Sequence, residues 1–187
     1  MLHTPRISAL VSGLAQRIFK TNLSVAAGSC DRTCRLWDVT IGECVRLFKG
    51  HRAPVTATAI SGCGKLLASG ADNGQVLVWD LATSKCLCVL NGHVGAVHSV
   101  DFSCGNGGLL ASSGADGTVR LWDVPSGASA AAGGGDGAAI KAEGGTSGKV
   151  QVRSETLCLN TRGNMAMMRV RFSRTNLLLA AGPYSKD

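Results

Sequence analysis

The chain has 187 residues, of which 45% are hydrophobic and 17% charged. That composition supports a buried core and excludes a wholly disordered chain, and the length suits one domain. The formal net charge of +7 leaves acidic or nucleic-acid partners open, but the 19 basic residues are scattered without a run of five, as on ordinary solvated strand edges.

The eight cysteines stand at 30, 34, 44, 63, 86, 88, 104 and 158, with no CxxC pair. Cys86-x-Cys88 lacks a second pair at zinc-ligand spacing, so no metal is expected. Several fall on alternate strand positions, where a reduced thiol acts as a small hydrophobe. No secretory leader is legible, so reduced thiols in an intracellular protein are expected. No apolar run reaches the roughly 18–20 residues of a membrane helix.

Residues 1–21 contain Arg6, Arg17 and Lys20 and no acid; the first acidic residue is Asp31. This is the profile of a mitochondrial transit peptide, or of an extension that replaces the start of a repeat, with Leu14–Phe19 as its innermost strand. We treat 1–21 as an N-terminal extension and 22–187 as the folded segment. From Asn22, a β-rich run at Leu23–Ala27, a turn at Gly28–Arg32 and a strand at Thr33–Val39 follow one another. Glu43–Phe48 then alternates Cys44, Arg46 and Phe48 against Val45 and Leu47, the period-2 pattern of an antiparallel sheet. Pro54–Ile60, Lys65–Gly70, Gln75–Leu81 and Cys86–Leu90 repeat the four-strand order. Val97–Phe102, Leu109–Ser113 and Thr118–Asp123 begin it a third time.

Spacing decides the fold class. Trp37 to Trp79 is 42 residues, Trp79 to Trp122 is 43, and His51 to His93 is 42. Gly50-His51 and Gly92-His93 open units that Trp79-Asp80 and Trp122-Asp123 close. Four short strands per 40–45 residues between a Gly-His and a Trp-Asp resemble the WD40 repeat. The expected fold is all-β, a partial WD40 β-propeller of about three Trp-Asp blades plus an incomplete terminal blade. In the family, His, Ser/Thr, Asp and Trp form one hydrogen-bond chain within a blade. By that resemblance the third unit supplies His93, Ser112, Asp116 and Trp122. The second supplies His51, Ser69 and Trp79, with Asn73 where the pattern wants Asp. The first retains Asp31 and Trp37, has Ala27 at the Ser position and has no Gly-His before it. These residues are expected to staple blades rather than catalyse.

Ser126–Lys149 holds eight Gly and seven Ala and one bulky residue, Ile140. It reads as a flexible insertion joining the third strand of a blade to the fourth. Gln151–Asn160 is expected to supply that fourth strand, around Thr156–Leu159. Met167–Ser173 and Asn176–Gly182 read as the first two strands of a further blade, with Met165, Met167 and Met168 as packing residues.

Two stretches narrow the family. Ser29-Cys30-Asp31-Arg32-Thr33-Cys34-Arg35-Leu36-Trp37-Asp38-Val39, continued by Thr40–Arg52, is similar to the WD40-bearing TBP-associated factors of general transcription factor TFIID, a copy of which serves the SAGA co-activator. Met168–Phe172 and Asn176–Gly182 resemble the same family, as does a long loop before the last strands. The likeness covers about Asn22–Tyr184. Members carry helical N-terminal domains and a seven-bladed propeller, so the sequence reads as the C-terminal piece of such a protein. The resemblance implies a nuclear, non-catalytic scaffold that holds other TBP-associated factors, including histone-fold subunits, with no cofactor and no direct sequence-specific contact to DNA. Arg52, Asp72 and Ala115, beside the His/Asp turns, are the candidate partner-binding rim. The alternative is a propeller adaptor of another complex, a ubiquitin-ligase substrate receptor or a ribosome-assembly factor. No phosphate loop, Cys/His pair in a catalytic context or carboxylate cluster points to an enzyme: Gly133–Gly137 lacks a following Gly-Lys-Ser/Thr, and His3, His51, His93 and His98 lack metal-ligand spacing.

Overall fold

The computed structural model describes residues 11–18, 23–104, 108–124, 151–153, 157–160 and 165–182. All regular elements among them are strands. β1 (Val11–Ile18), β2 (Leu23–Ser29), β3 (Thr33–Asp38) and β4 (Glu43–Lys49) form one antiparallel sheet in chain order. β5 (Val55–Ile60), β6 (Leu66–Ala71), β7 (Val76–Asp80) and β8 (Cys86–Leu90) form the second. β9 (Val97–Phe102), β10 (Leu109–Gly114) and β11 (Thr118–Asp123) form the third, which β13 (Leu157–Asn160) completes by pairing antiparallel with β11. β14 (Arg169–Phe172) and β15 (Leu178–Ala181) make a two-stranded sheet. Among the described residues the fold is a partial β-propeller: three complete blades and half of a fourth.

β1 lies inside the segment 1–21 and takes the innermost position of the first blade, one of the two readings of that segment. Gln151–Asn160 does not act as one strand. Leu157–Asn160 is the fourth strand of the third blade, whereas β12 (Gln151–Arg153) pairs parallel to β8 and adds a fifth strand to the second blade. The expectation of a flexible insertion at 126–149 lies outside the described residues.

The core sits between blades rather than within them. A four-stranded sheet has two faces, and each middle blade buries both against its neighbours. Cys34, Leu36 and Phe48 of the first blade pack with Leu67, Leu77 and Trp79 of the second. Val76, Val78 and Leu90 of the second pack with Phe102, Leu110 and Trp122 of the third. Ala111 and Val119 of the third meet Met167 and Val170 of the fourth. Trp79 and Trp122 therefore each face the preceding blade. Full burial of one large apolar side chain contributes about 2–3 kcal/mol, so the interblade faces dominate the favourable side of folding. Met167 packs as expected, but Met168 is 58% exposed and takes no part in the core.

Polar ties cross the same faces. The Thr56 hydroxyl donates to the Val97 carbonyl, Ser99 to the Val170 carbonyl at 3.2 Å, and the Phe172 amide to Asp101 at 2.7 Å. The Asn176 side chain accepts the Cys104 amide at 2.7 Å. Each links consecutive blades, which is what an array of marginal units needs.

Candidate functional site

The third blade assembles the predicted quartet. Register places Ser112 opposite Arg120, two residues before Trp122. The Trp122 Nε1–H donates to Ser112 Oγ at 2.8 Å, and Ser112 Oγ lies 2.7 Å from His93 Nε2. His93 Nδ1 faces both carboxylate oxygens of Asp116 at 3.0 Å. One assignment satisfies every atom: Trp donates to Ser, Ser donates to His Nε2, and His Nδ1–H donates to Asp. Ser112 and Trp122 are fully buried and His93 is nearly so. Asp116 is further tied by the Val94 amide at 3.1 Å, the Thr118 amide at 3.1 Å and the Thr118 hydroxyl at 2.8 Å. Burial alone would raise its pKa. The Val94 amide, the Thr118 hydroxyl and His93 outweigh that and hold the carboxyl below its ordinary value.

Two residues the sequence reading missed complete this arrangement. Thr118 Oγ1 lies 3.2 Å from His93 Nδ1, and Arg120 Nε donates to Thr118 Oγ1 at 3.1 Å while its guanidinium stands 3.9 Å from Asp116. The signal was present as Asp116-x-Thr118-x-Arg120, which recurs as Asp31-x-Thr33-x-Arg35. In the first blade the same contacts form: Thr33 Oγ1 donates to Asp31 at 2.5 Å and Arg35 pairs with it at 2.7 Å.

The second blade assembles half of the chain. Trp79 Nε1–H donates to Ser69 Oγ at 2.8 Å, and Ser69 Oγ lies 2.6 Å from His51 Nε2. Asn73 is exposed and accepts the Gln75 amide at 3.3 Å, closing its own turn. It is not brought to His51, whose buried Nδ1 has no hydrogen-bond partner among the described residues. Burial pushes the His51 imidazole down to about 4. In the first blade Ala27 stands opposite Arg35, the place of Ser112 and Ser69, so no hydroxyl there receives the Trp37 indole; Trp37 is only half-buried.

The Gly of each Gly-His has a steric cause. A Cβ at Gly50 would stand 2.9 Å from the Trp79 ring, and one at Gly92 would stand 3.0 Å from the Trp122 ring. The dipeptide thus seats the indole under Gly and closes the polar chain through His.

The rim residues Arg52, Asp72 and Ala115 are all exposed. Asp72 and Ala115 occupy matching turns, their amides bonded to Pro54 and Ala96 carbonyls at 2.9 and 2.8 Å. Val94, next to His93 and 88% exposed, belongs to the same rim and was missed because its apolar character gave no sequence signal. All eight cysteines are free, and burial raises Cys34 and Cys86 to about 12, which makes these two thiols inert. Among the described residues no group of His, Cys, Asp or Glu could hold a metal, and no helix is long and apolar enough to cross a membrane.

Comparison with known proteins gives the same repeats. The family profile "WD domain, G-beta repeat" matches residues 3–38, 42–80 and 84–123. The chain belongs to the WD40 family. Members of this family are generally protein-interaction scaffolds. Among its relatives, Transcription initiation factor TFIID subunit 5 of Caenorhabditis elegans is 38% identical over 80 residues, 42% of this chain and 12% of that protein. Small ribosomal subunit protein RACK1y of Oryza sativa subsp. japonica is 38% identical over 81 residues, 43% of this chain and 24% of that protein. Protein Notchless of Drosophila melanogaster is 34% identical over 79 residues, 42% of this chain and 16% of that protein. The matched WD40 stretch thus spans a quarter or less of each of these relatives.

Proposed function

We propose that this WD40 chain is a non-catalytic scaffold within a TFIID- or SAGA-type nuclear assembly, where it holds other TBP-associated factors, histone-fold subunits among them, during RNA polymerase II transcription. The observation that carries this reading is the likeness to TFIID subunit 5 over 80 residues, beside the resemblance of the Ser29–Arg52 stretch to that family. In this reading DNA is contacted by partners rather than by the chain. Partners dock on the rim around Arg52, Asp72, Val94 and Ala115, where side chains vary on a rigid frame.

The Ser112–His93–Asp116 order has the distances of an acyl-transfer triad, so its assignment as a staple needs a reason. Ser112 Oγ is fully buried and already accepts the Trp122 indole N–H, leaving no approach for a substrate carbonyl. A nucleophile without access performs no chemistry, and the same atoms instead fix a turn to two strands.

A second reading is a propeller adaptor of another complex, a ubiquitin-ligase substrate receptor or a ribosome-assembly factor; the equal identity to a small ribosomal subunit protein, RACK1y, supports it. Affinity capture of the endogenous protein from nuclear extract, with mass spectrometry of what is retained, separates the two. Co-recovery of TBP-associated factors supports the transcription scaffold. Recovery of pre-ribosomal or ligase subunits without them overturns it.

A further inference from the structure

We propose that the outer edge of the second blade is a strand-accepting site, held in this chain by its own Gln151–Arg153 and open to an extended segment of a partner protein in exchange. This inference holds whichever assembly the chain joins. A propeller blade ends at its fourth strand, yet β8 carries a fifth, β12, in parallel register, with Gln151 opposite Cys88, Val152 opposite Val89 and Arg153 opposite Leu90. The chain leaves the third blade after β11, reaches the edge of the second, and returns to the third as β13.

The edges explain its destination. An outer strand presents unpaired N–H and C=O groups, and natural edges are blunted with charge. β4, the outer strand of the first blade, carries Glu43, Arg46 and Lys49, all exposed. β8 reads Cys-Leu-Cys-Val-Leu and carries no charge. Between the first two blades, the uncharged edge is the one that takes an added strand; β13, equally uncharged, takes none among the described residues. Recognition through the main chain is the mode of β-strand addition, in which the ladder gives affinity and alternate side chains give selectivity. The fitting partner is an extended segment of at least three residues with free amides, running parallel to β8, with the polar, β-branched, basic order of the resident Gln151-Val152-Arg153.

The test uses the full chain and a labelled synthetic peptide of residues 148–154. Proline at the centre of the resident strand removes an amide and disfavours pairing. Val152→Pro is expected to speed hydrogen exchange at Cys88–Leu90 by about tenfold or more while leaving β4 and β11 unchanged. The tethered resident acts at roughly millimolar effective concentration, so the peptide should bind Val152→Pro at least about tenfold tighter than the unmodified chain and restore protection at β8. The same peptide with proline at its centre should not bind. A second variant with Gln151, Val152 and Arg153 each replaced by Gly keeps every amide and serves if Val152→Pro fails to fold. Unchanged exchange at Cys88–Leu90 in the variants, or equal peptide binding to variant and unmodified chain, overturns the proposal.

Discussion

The second and third blades share strand order, register and a buried Trp–Ser–His chain, and differ at one end of it. In the third, His93 passes its second nitrogen to Asp116, itself held by Val94 and Thr118. In the second, Asn73 turns to its own loop, Gln75 stands where Thr118 would, and His51 Nδ1 is buried alone. A buried unpaired donor costs about 1–3 kcal/mol, more than a typical net hydrogen bond contributes. Polar chains of this kind therefore reward completion more than length.

The largest expected effect comes from removing the indole. Trp122→Ala opens a cavity in the face shared with the second blade and should cost about 3–5 kcal/mol in urea unfolding. Trp37→Ala, at a half-buried ring with no Ser beneath it, should cost clearly less. Equal losses would break the ranking of blades. Next, Asp116→Asn should cost about 2 kcal/mol, because the charge that Val94, Thr118 and His93 solvate is lost; Asn73→Ala should be within about 0.5 kcal/mol of the parent.

Acid sharpens the same comparison. His51 has a folded pKa of about 4 against 6.5 in its ordinary state, so the unfolded chain binds the extra proton. Stability is then lost as pH falls below the unfolded value and levels off near the folded one, a loss of about 2 kcal/mol between pH 7 and pH 5. Asn73→Asp supplies the missing acceptor, should raise stability at pH 7 by about 1 kcal/mol, and should flatten that slope. The smallest effect concerns the turn glycine. Gly74 and Gly117 sit at φ of 82° and 71°, and Arg32 holds the matching place in the first blade at 67°. Arg32→Gly should stabilise by about 0.5–1 kcal/mol by relieving left-handed backbone, measured as a shift in denaturation midpoint.

Much of this was legible because the repeat writes its chemistry at fixed offsets. Gly-His and Trp-Asp spacing locates three blades, and the Asn at 73 marks the weak chain in the sequence itself. What was not legible was either too short or too local. β12 is three residues in parallel pairing, with no turn or alternation to announce it. The roles of Thr118 and Arg120 came from side chains reaching back to Asp116, a pattern visible only when Asp31-x-Thr33-x-Arg35 is set beside it. β1 lacked a Gly-His to frame it. Met168 continues the sequence alternation of Val170 and Phe172, yet it is exposed, because β14 begins only at Arg169 and the alternating geometry does not extend back to it.

Completion of the His–Asp link, not the presence of the Trp–Ser–His chain, sets how firmly a blade is held. Hydrogen-exchange mass spectrometry of the full chain at pH 7 and pH 5, corrected for intrinsic exchange rates, tests it most directly. Acid should weaken protection across β6 and β7 in the second blade while β10 and β11 in the third keep theirs. Equal weakening in both blades, or earlier loss in the third, would contradict it.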